Sequence, residues 1–389
     1  MPGPTNDNLS KALLPQGLRD LLPPDAAAEA AAVGRLIAVL SSHGYQRVKP
    51  PLMEFEENLL SGAGAAMAPE TFRLMDPISQ RMIGLRADMT TQVARIAAAR
   101  LANAARPLRL CYAGQVLRVK GSDMRPERQI GQVGAELIGS DAIAADVEVV
   151  ILAAEALSIL GIEGLSVDLT LPTLVPAICR AAGIAGTSLD ALRRALDHKD
   201  SAAVAASGGK AASLLQRLLA AAGAAEPALK AIAALDLLPE AAAERARLAA
   251  VASGLASAVP KLAITIDPVE NRGFEYHTGV SFSFFARGIK GELGRGGRYR
   301  TGVGNGGGEG EDATGFTLYT DTVLEAMAPH RPAPRVYVPA GSDAAAAARW
   351  RSQDYVTVAG LVPVADAVAE ARRLGCSHVL SGEKIIGVE

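Results

Sequence analysis

The sequence predicts an α+β fold: an antiparallel sheet flanked by helices, followed by a small C-terminal α/β unit. Three observations predict it. Short runs rich in β-branched and aromatic residues alternate with turns over 71–138 and return after 262. An Ala- and Leu-rich stretch, about 181–259, separates the two strand-rich parts. Beyond residue 335, strand-like and helix-like segments alternate.

In chain order, residues 1–20 read as a polar arm punctuated by Pro and Gly. Pro24–Asp25 marks a helix start, and Val33, Leu36, Ile37 and Leu40 carry that helix to about His43. In GYQRVKPPLMEF the consecutive Pro50 and Pro51 exclude a helix interior, so a turn leads into extended chain. TFRLM and RMIGLR flank Asp76-Pro77 as a hairpin. Thr90 to Leu101 is helical in pattern. PLRLCYAGQVLRV and RQIGQVGAELIG are two strands joined by the charged loop KGSDMRPE. A helix over Ala144 to Leu160 and a strand over 165–171 follow. The 181–259 stretch reads as an all-helical insert of several short helices, broken near 208 and 223. LAITIDP and GVSFSFFARG are strands, 301–310 is a Gly-rich loop, and a helix ends near Met327. Pro329, Pro332 and Pro334 mark a linker. The expected domains are therefore 1–328 and a unit at 335–389.

A length of 389 residues accommodates two or three domains. Lys plus Arg number 39 against 41 Asp plus Glu, a balance that argues against a protein held to nucleic acid by bulk charge. Cys111, Cys179 and Cys376 fit no C-x-x-C spacing and are expected as reduced, buried thiols of a cytoplasmic protein. The five histidines show no metal-ligand spacing, so no metal is expected. The N-terminus lacks the apolar core of a signal peptide, and no stretch reads as a membrane span.

Five segments bear on candidate chemistry. Gly302, Gly304 and Gly307 satisfy G-x-G-x-x-G formally. Glu309, Glu311 and Asp312 follow them and would repel phosphate, so a loop is the better reading. Arg118, Lys120, Arg125 and Arg128 surround a hairpin loop, and Gln132, Gly134 and Glu136 then share one strand face at period two. That face is either a solvated surface or a polar cleft for a small zwitterion. RGFEYHTG places Arg272, Glu275, Tyr276 and His277 just before a strand, and the glycines of GRGGRYR admit close backbone approach. In LRADMT, Asp88 and Thr90 can cap the next helix.

In this order the segments resemble histidyl-tRNA synthetase, a class II aminoacyl-tRNA synthetase, over roughly residues 12–328. GYQRVKPPLME resembles the class II dimer-interface motif, with Pro51 at its central proline. LRADMT is similar to L-R-P-E-x-T, which implies Asp88 and Thr90 beside the amino group of bound histidine. Residues 118–132 resemble the motif 2 hairpin, with Arg118 as its arginine. The resemblance places Gln132 and Glu136 in the histidine pocket. RGFEYHTG is similar to the histidine-specific R-G-L-D-Y-Y-x-G. That match implies Arg272 in the place of the arginine used in adenylate formation, and Tyr276 and His277 beside the imidazole. GRGGRYR is similar to G-G-R-Y-D.

The departures bear on function. Lys120 stands where the family has a carboxylate. In the motif 3 match, GFTLYTDT, Tyr319 replaces a glycine and Thr322 replaces the arginine that clamps ATP. A lost charge-assisted contact to phosphate costs on the order of 2–3 kcal/mol. Asp88 for Glu, His277 for Tyr and Arg300 for Asp are further departures. The C-terminal unit resembles a shortened anticodon-binding domain with few basic residues.

A synthetase-like fold that keeps an amino-acid pocket and loses its ATP contacts resembles the regulatory subunits of ATP phosphoribosyltransferase. That resemblance implies no catalytic residue and no cofactor. It implies the short-form catalytic subunit as partner, in a hetero-octamer of four and four chains, and a self-dimer through the Pro51 region. Histidine is the implied effector, in the retained pocket or at the subunit interface. Neither a membrane nor tRNA is an expected partner. Two other readings stay open: an active histidine-activating enzyme, and an RNA-binding scaffold on the same fold.

Overall fold

A mixed sheet dominates the computed structural model, which describes residues 13–121, 125–270, 276–302, 310–328 and 332–388. In chain order its strands begin with β1 (Gln46–Arg47), β2 (Met53–Phe55), β3 (Arg73–Met75) and β4 (Met82–Leu85). Next come the two ten-residue strands β5 (Leu108–Leu117) and β6 (Gln129–Ile138), then β7 (Leu165–Thr170) and β8 (Gly223–Ala224). β9 (Ala263–Asp267), β10 (His277–Ala286), β11 (Gly294–Arg300) and β12 (Asp312–Tyr319) complete this part of the chain. The main sheet runs β1-β5-β6-β12-β11-β10-β7-β9-β8, and β2-β4-β3 form a small separate sheet. The expected hairpin at Asp76-Pro77 is the antiparallel pair β3–β4.

Period-two alternation sorts the side chains onto two faces. Cys111, Val133, Ala135 and Leu137 join a core shared with the helices Asp25–Ser42 and Ile143–Ile159. Leu110, Tyr112, Ile130 and Ile138 pack on the opposite face with Met89, Val93 and Ala97, at and within the helix Thr90–Ala99. The helix Ile143–Ile159 buries Ala145, Ala153, Ala154 and Ala156 as well as Val149 and Leu157. Helices and sheet surround it, so its apolar residues are not confined to one stripe.

The antiparallel expectation holds for the centre and fails at two places. β1 pairs parallel to β5, and β7 pairs parallel to β9. The insert is not all-helical. Its helices, from Leu174–Ala182 to Pro239–Ala258, are interrupted by β8, which pairs with β9 and extends the main sheet. Two residues are too short to register as a strand in sequence, and Gly223 reads equally well as a helix break.

A buried ion cluster ties three parts together. Arg298 of β11 donates from Nε to Asp146 Oδ1 at 2.9 Å and from Nη1 to the Ser140 carbonyl at 2.8 Å. Arg247 of the insert reaches Asp146 Oδ2 at 2.8 Å. Asp146 and Arg298 are both buried, 3% exposed, so each compensates the other's lost hydration.

The described residues cluster into two units, Met1–Ala328 and Pro329–Glu389. In the second, β13 (Arg335–Val338), β14 (Val356–Ala359), β15 (His378–Ser381) and β16 (Lys384–Gly387) lie in the order β14-β13-β15-β16. Its helices Ala344–Arg351 and Ala367–Arg373 start at Asp343 and Asp366, whose carboxylates accept backbone N–H groups. The final antiparallel strand β16 was not expected from sequence. Residues 303–309 of the Gly-rich loop and 329–331 of the linker lie outside the described residues. Among the described residues, no helix is long and apolar enough to cross a membrane.

Candidate functional site

The sheet face that carries Tyr112 and Ile130 also holds a small, narrow cleft. Asp88, Thr90, Glu136, Tyr276, His277 and Arg295 contribute its polar lining.

Glu136 sits at its buried end, 1% exposed, on the central strand β6. Tyr112 donates to its Oε1 at 3.2 Å, and Tyr299 to its Oε2 at 3.0 Å. Tyr112 also shares a hydrogen bond with Thr317 Oγ1 at 2.8 Å and lies 3.3 Å from Thr90 Oγ1. Burial pushes the Glu136 carboxyl up to about 8, against the hydroxyls that favour its charged form. Burial likewise raises Tyr112, Tyr276 and Tyr299, and the Glu136 charge adds to it, so all three stay phenols.

Two glycines make this geometry. A Cβ at Gly134 would come within 2.4 Å of the Tyr112 hydroxyl, and one at Gly315 within 1.9 Å of Glu136 Oε2. Gly134 faces Tyr112 across the β5–β6 pair, and Gly315 faces Glu136 across β12–β6. Neither a phenol nor a carboxyl fits there beside a side chain.

At the mouth, Asp88 is fixed from two sides. Its Oδ1 accepts the Thr90 N–H at 2.8 Å, and its Oδ2 accepts Gln132 Nε2 at 2.9 Å. Gln132 Oε1 in turn accepts the Met89 N–H at 3.1 Å. Asp88 thus accepts the N–H of Thr90, the first residue of the helix Thr90–Ala99, while it lines the cleft. Tyr276 and His277 lie together with ring centroids 4.1 Å apart.

The other flank of the cleft is filled by the chain's own groups. Tyr319, 4% exposed, lies under the Arg125 guanidinium, whose carbon is 3.9 Å from the ring centroid. Arg125 also pairs with Asp321 at 3.4 Å. Arg295 pairs with Glu292 at 2.7 Å, and Arg118 with Glu70 at 3.2 Å. Thr322 donates to the Glu292 carbonyl at 2.9 Å.

A family model described as histidyl-tRNA synthetase matches residues 17–323. An ATP phosphoribosyltransferase regulatory subunit of Paramagnetospirillum magneticum is 59% identical over 98% of this chain and all of its own length. The chain belongs to the family of ATP phosphoribosyltransferase regulatory subunits. A member from Rhodospirillum centenum, also 59% identical, covers 97% of the chain and 96% of its own length. A solved structure described as an ATP phosphoribosyltransferase regulatory subunit/histidyl-tRNA synthetase from Bacillus halodurans shares the fold. Its TM-score is 0.78 at 24% identity, over 96% of this chain and 97% of that one. Membership in this regulatory family agrees with the expectation of a non-catalytic, class II synthetase-like α+β chain.

Of the residues singled out in sequence, Asp88, Thr90, Glu136, Tyr276 and His277 line the cleft. Gln132 stands behind it and braces Asp88. Arg118 is turned to Glu70 and the Ala87 carbonyl rather than lining the cleft. Arg272 lies outside the described residues. The solvated-face reading of Gln132 and Glu136 fails, because both are 1% exposed. Gly134 makes room for Tyr112 beside Glu136. Sequence reasoning passed over Tyr112, Tyr299 and Arg295 as site residues. The signal for Tyr112 was available in one form only, a large residue opposite a glycine, and needs the strand register to be seen.

Proposed function

We propose that this chain binds a catalytic ATP phosphoribosyltransferase chain, activates it, and transmits inhibition by L-histidine held in the cleft. The observation that carries this reading is the unequal treatment of the two halves of the site. The amino-acid half is lined by fixed acceptors: Asp88 for an ammonium group, and Glu136 for a ring nitrogen. On the other half, Arg118, Arg125 and Arg295 are paired with Glu70, Asp321 and Glu292, and the Tyr319 ring is buried there. A triphosphate would have to break several of these pairs, with no Thr322 cation to offset the loss.

Regulation requires that histidine bind one state of the complex better than another. Mixing the chain with a short-form catalytic subunit is expected to raise that subunit's turnover, and L-histidine to reverse the rise. ATP–pyrophosphate exchange with histidine is expected to stay at background. Robust exchange would favour an active synthetase-like enzyme, and tight salt-sensitive tRNA binding an RNA scaffold.

The proposed assembly is a hetero-octamer of four and four chains that contains a self-dimer. Support for the dimer lies around the Pro51 segment, where Leu52, Met53, Met75, Ile78 and Met82 are exposed. Ile78 is 92% exposed and Met75 62%, more apolar surface at one place than a lone chain usually shows water. Pro51 is tied to the helix Thr90–Ala99 by Gln92, which donates to its carbonyl at 2.9 Å. The double variant Met75→Glu, Ile78→Glu is expected to sediment as a monomer; an unchanged dimer would move the interface elsewhere.

A further inference from the structure

The neighbours of the Glu136 carboxyl are unusual in one respect. Among the described residues no cation pairs with it, although it is buried and aimed at a ligand cleft. Its direct partners are the hydroxyls of Tyr112 and Tyr299. The other charged or titratable groups facing it are Asp88, Tyr276, His277 and Arg295. Arg295 is engaged with Glu292, and Asp88 opposes a second negative charge. Among the described residues, charge on Glu136 has no counter-ion, and burial holds the carboxyl of the empty site neutral to about pH 8.

We infer that the imidazole of bound histidine and the Glu136 carboxyl hold one proton between them, and that the occupied site accepts neither two protons nor none. This deepens the histidine reading of the cleft and rests on it. With two protons, an imidazolium would face a neutral acid, while Asp88 is held by Thr90 and Gln132 and by the ligand's ammonium group. With none, a bare carboxylate would face a lone pair. The proton balance follows. In acid, free ligand and free site carry two protons and the complex one, so binding releases a proton to buffer. In alkali they carry none, and binding takes one up. Near neutrality they already carry one, and binding exchanges nothing with buffer. Affinity is then greatest between the imidazole's ordinary titration, about pH 6.5, and that of Glu136, about 8. It falls about tenfold per pH unit on either side.

The test is titration calorimetry of the full chain with L-histidine across this range, in buffers of different ionisation heat. Proton release below the window, uptake above it and a null between are expected. The Glu136→Gln variant keeps the shape and removes the titrating group. The ratio of wild-type to variant affinity is expected to fall about tenfold per pH unit above about pH 8, a comparison that cancels the ligand's own amino group. Tyr299→Phe removes a donor that lowers the Glu136 pKa, so its alkaline limb is expected to move to higher pH. Should the glutamine variant not fold, an unmoved limb in Tyr299→Phe overturns the inference and a shifted limb supports it. Wild-type and Gln profiles that run parallel, with binding intact, overturn the shared proton and leave the histidine reading standing. Absence of binding at every pH overturns both.

Discussion

Replacing Asp146 by alanine is expected to cost about 3–5 kcal/mol of folding stability, the largest single effect predicted here. The reason lies in what remains. Arg298 is 3% exposed and would keep only the carbonyls of Ser140 and Ala142 as partners. Arg247 would keep the Asp141 carbonyl at 2.7 Å. One buried cation and one half-buried cation would face each other across the vacated position. Urea unfolding monitored by circular dichroism measures the cost. A loss below about 1 kcal/mol would mean that water or backbone acceptors replace the carboxylate. The consequence reaches the site, because β11 carries Arg298 on one face and Tyr299, the donor to Glu136, on the other.

The second large effect is on binding. Glu136→Ala is expected to weaken L-histidine binding by about 10- to 150-fold, the range for losing a charge-assisted hydrogen bond worth about 1.5–3 kcal/mol. Tyr299 would lose its acceptor, whereas Tyr112 would keep Thr317. Calorimetry at neutral pH, with the fold checked by circular dichroism, decides the matter. Unchanged affinity in a folded variant would place the effector site elsewhere, with the interface to the catalytic chain as the next candidate.

Much of this architecture was legible in the sequence because it rests on local pattern. The helix Asp25–Ser42 follows from the spacing of Val33, Leu36, Ile37 and Leu40, and β5 and β6 from long apolar runs either side of a charged loop. Strand direction was not legible. The parallel pairs β1–β5 and β7–β9 are fixed by long-range packing that no local periodicity encodes. The same limit applied to the site. Asp88, Gln132 and Glu136 stood out as polar residues in apolar settings. Tyr112 and Tyr299 looked like ordinary core aromatics, and only their hydroxyls, aimed at one carboxyl from two strands, distinguish them. Arg118 illustrates the converse. Its sequence context placed it with the ligand, but a partner forty-eight positions earlier in the chain, Glu70, holds it.

The void at Gly134 has an implication for descent. Because the phenol of Tyr112 occupies the volume a methyl group would need, position 134 is not free to drift. Bulk at 134 would also meet the Phe316 carbonyl at 2.4 Å, so trimming 112 would not make room for it and would strip Glu136 of a hydroxyl donor. Across related chains glycine should therefore persist at 134 whatever stands at 112, and loss of the phenol at 112 would mark a distant member that guards its carboxyl differently.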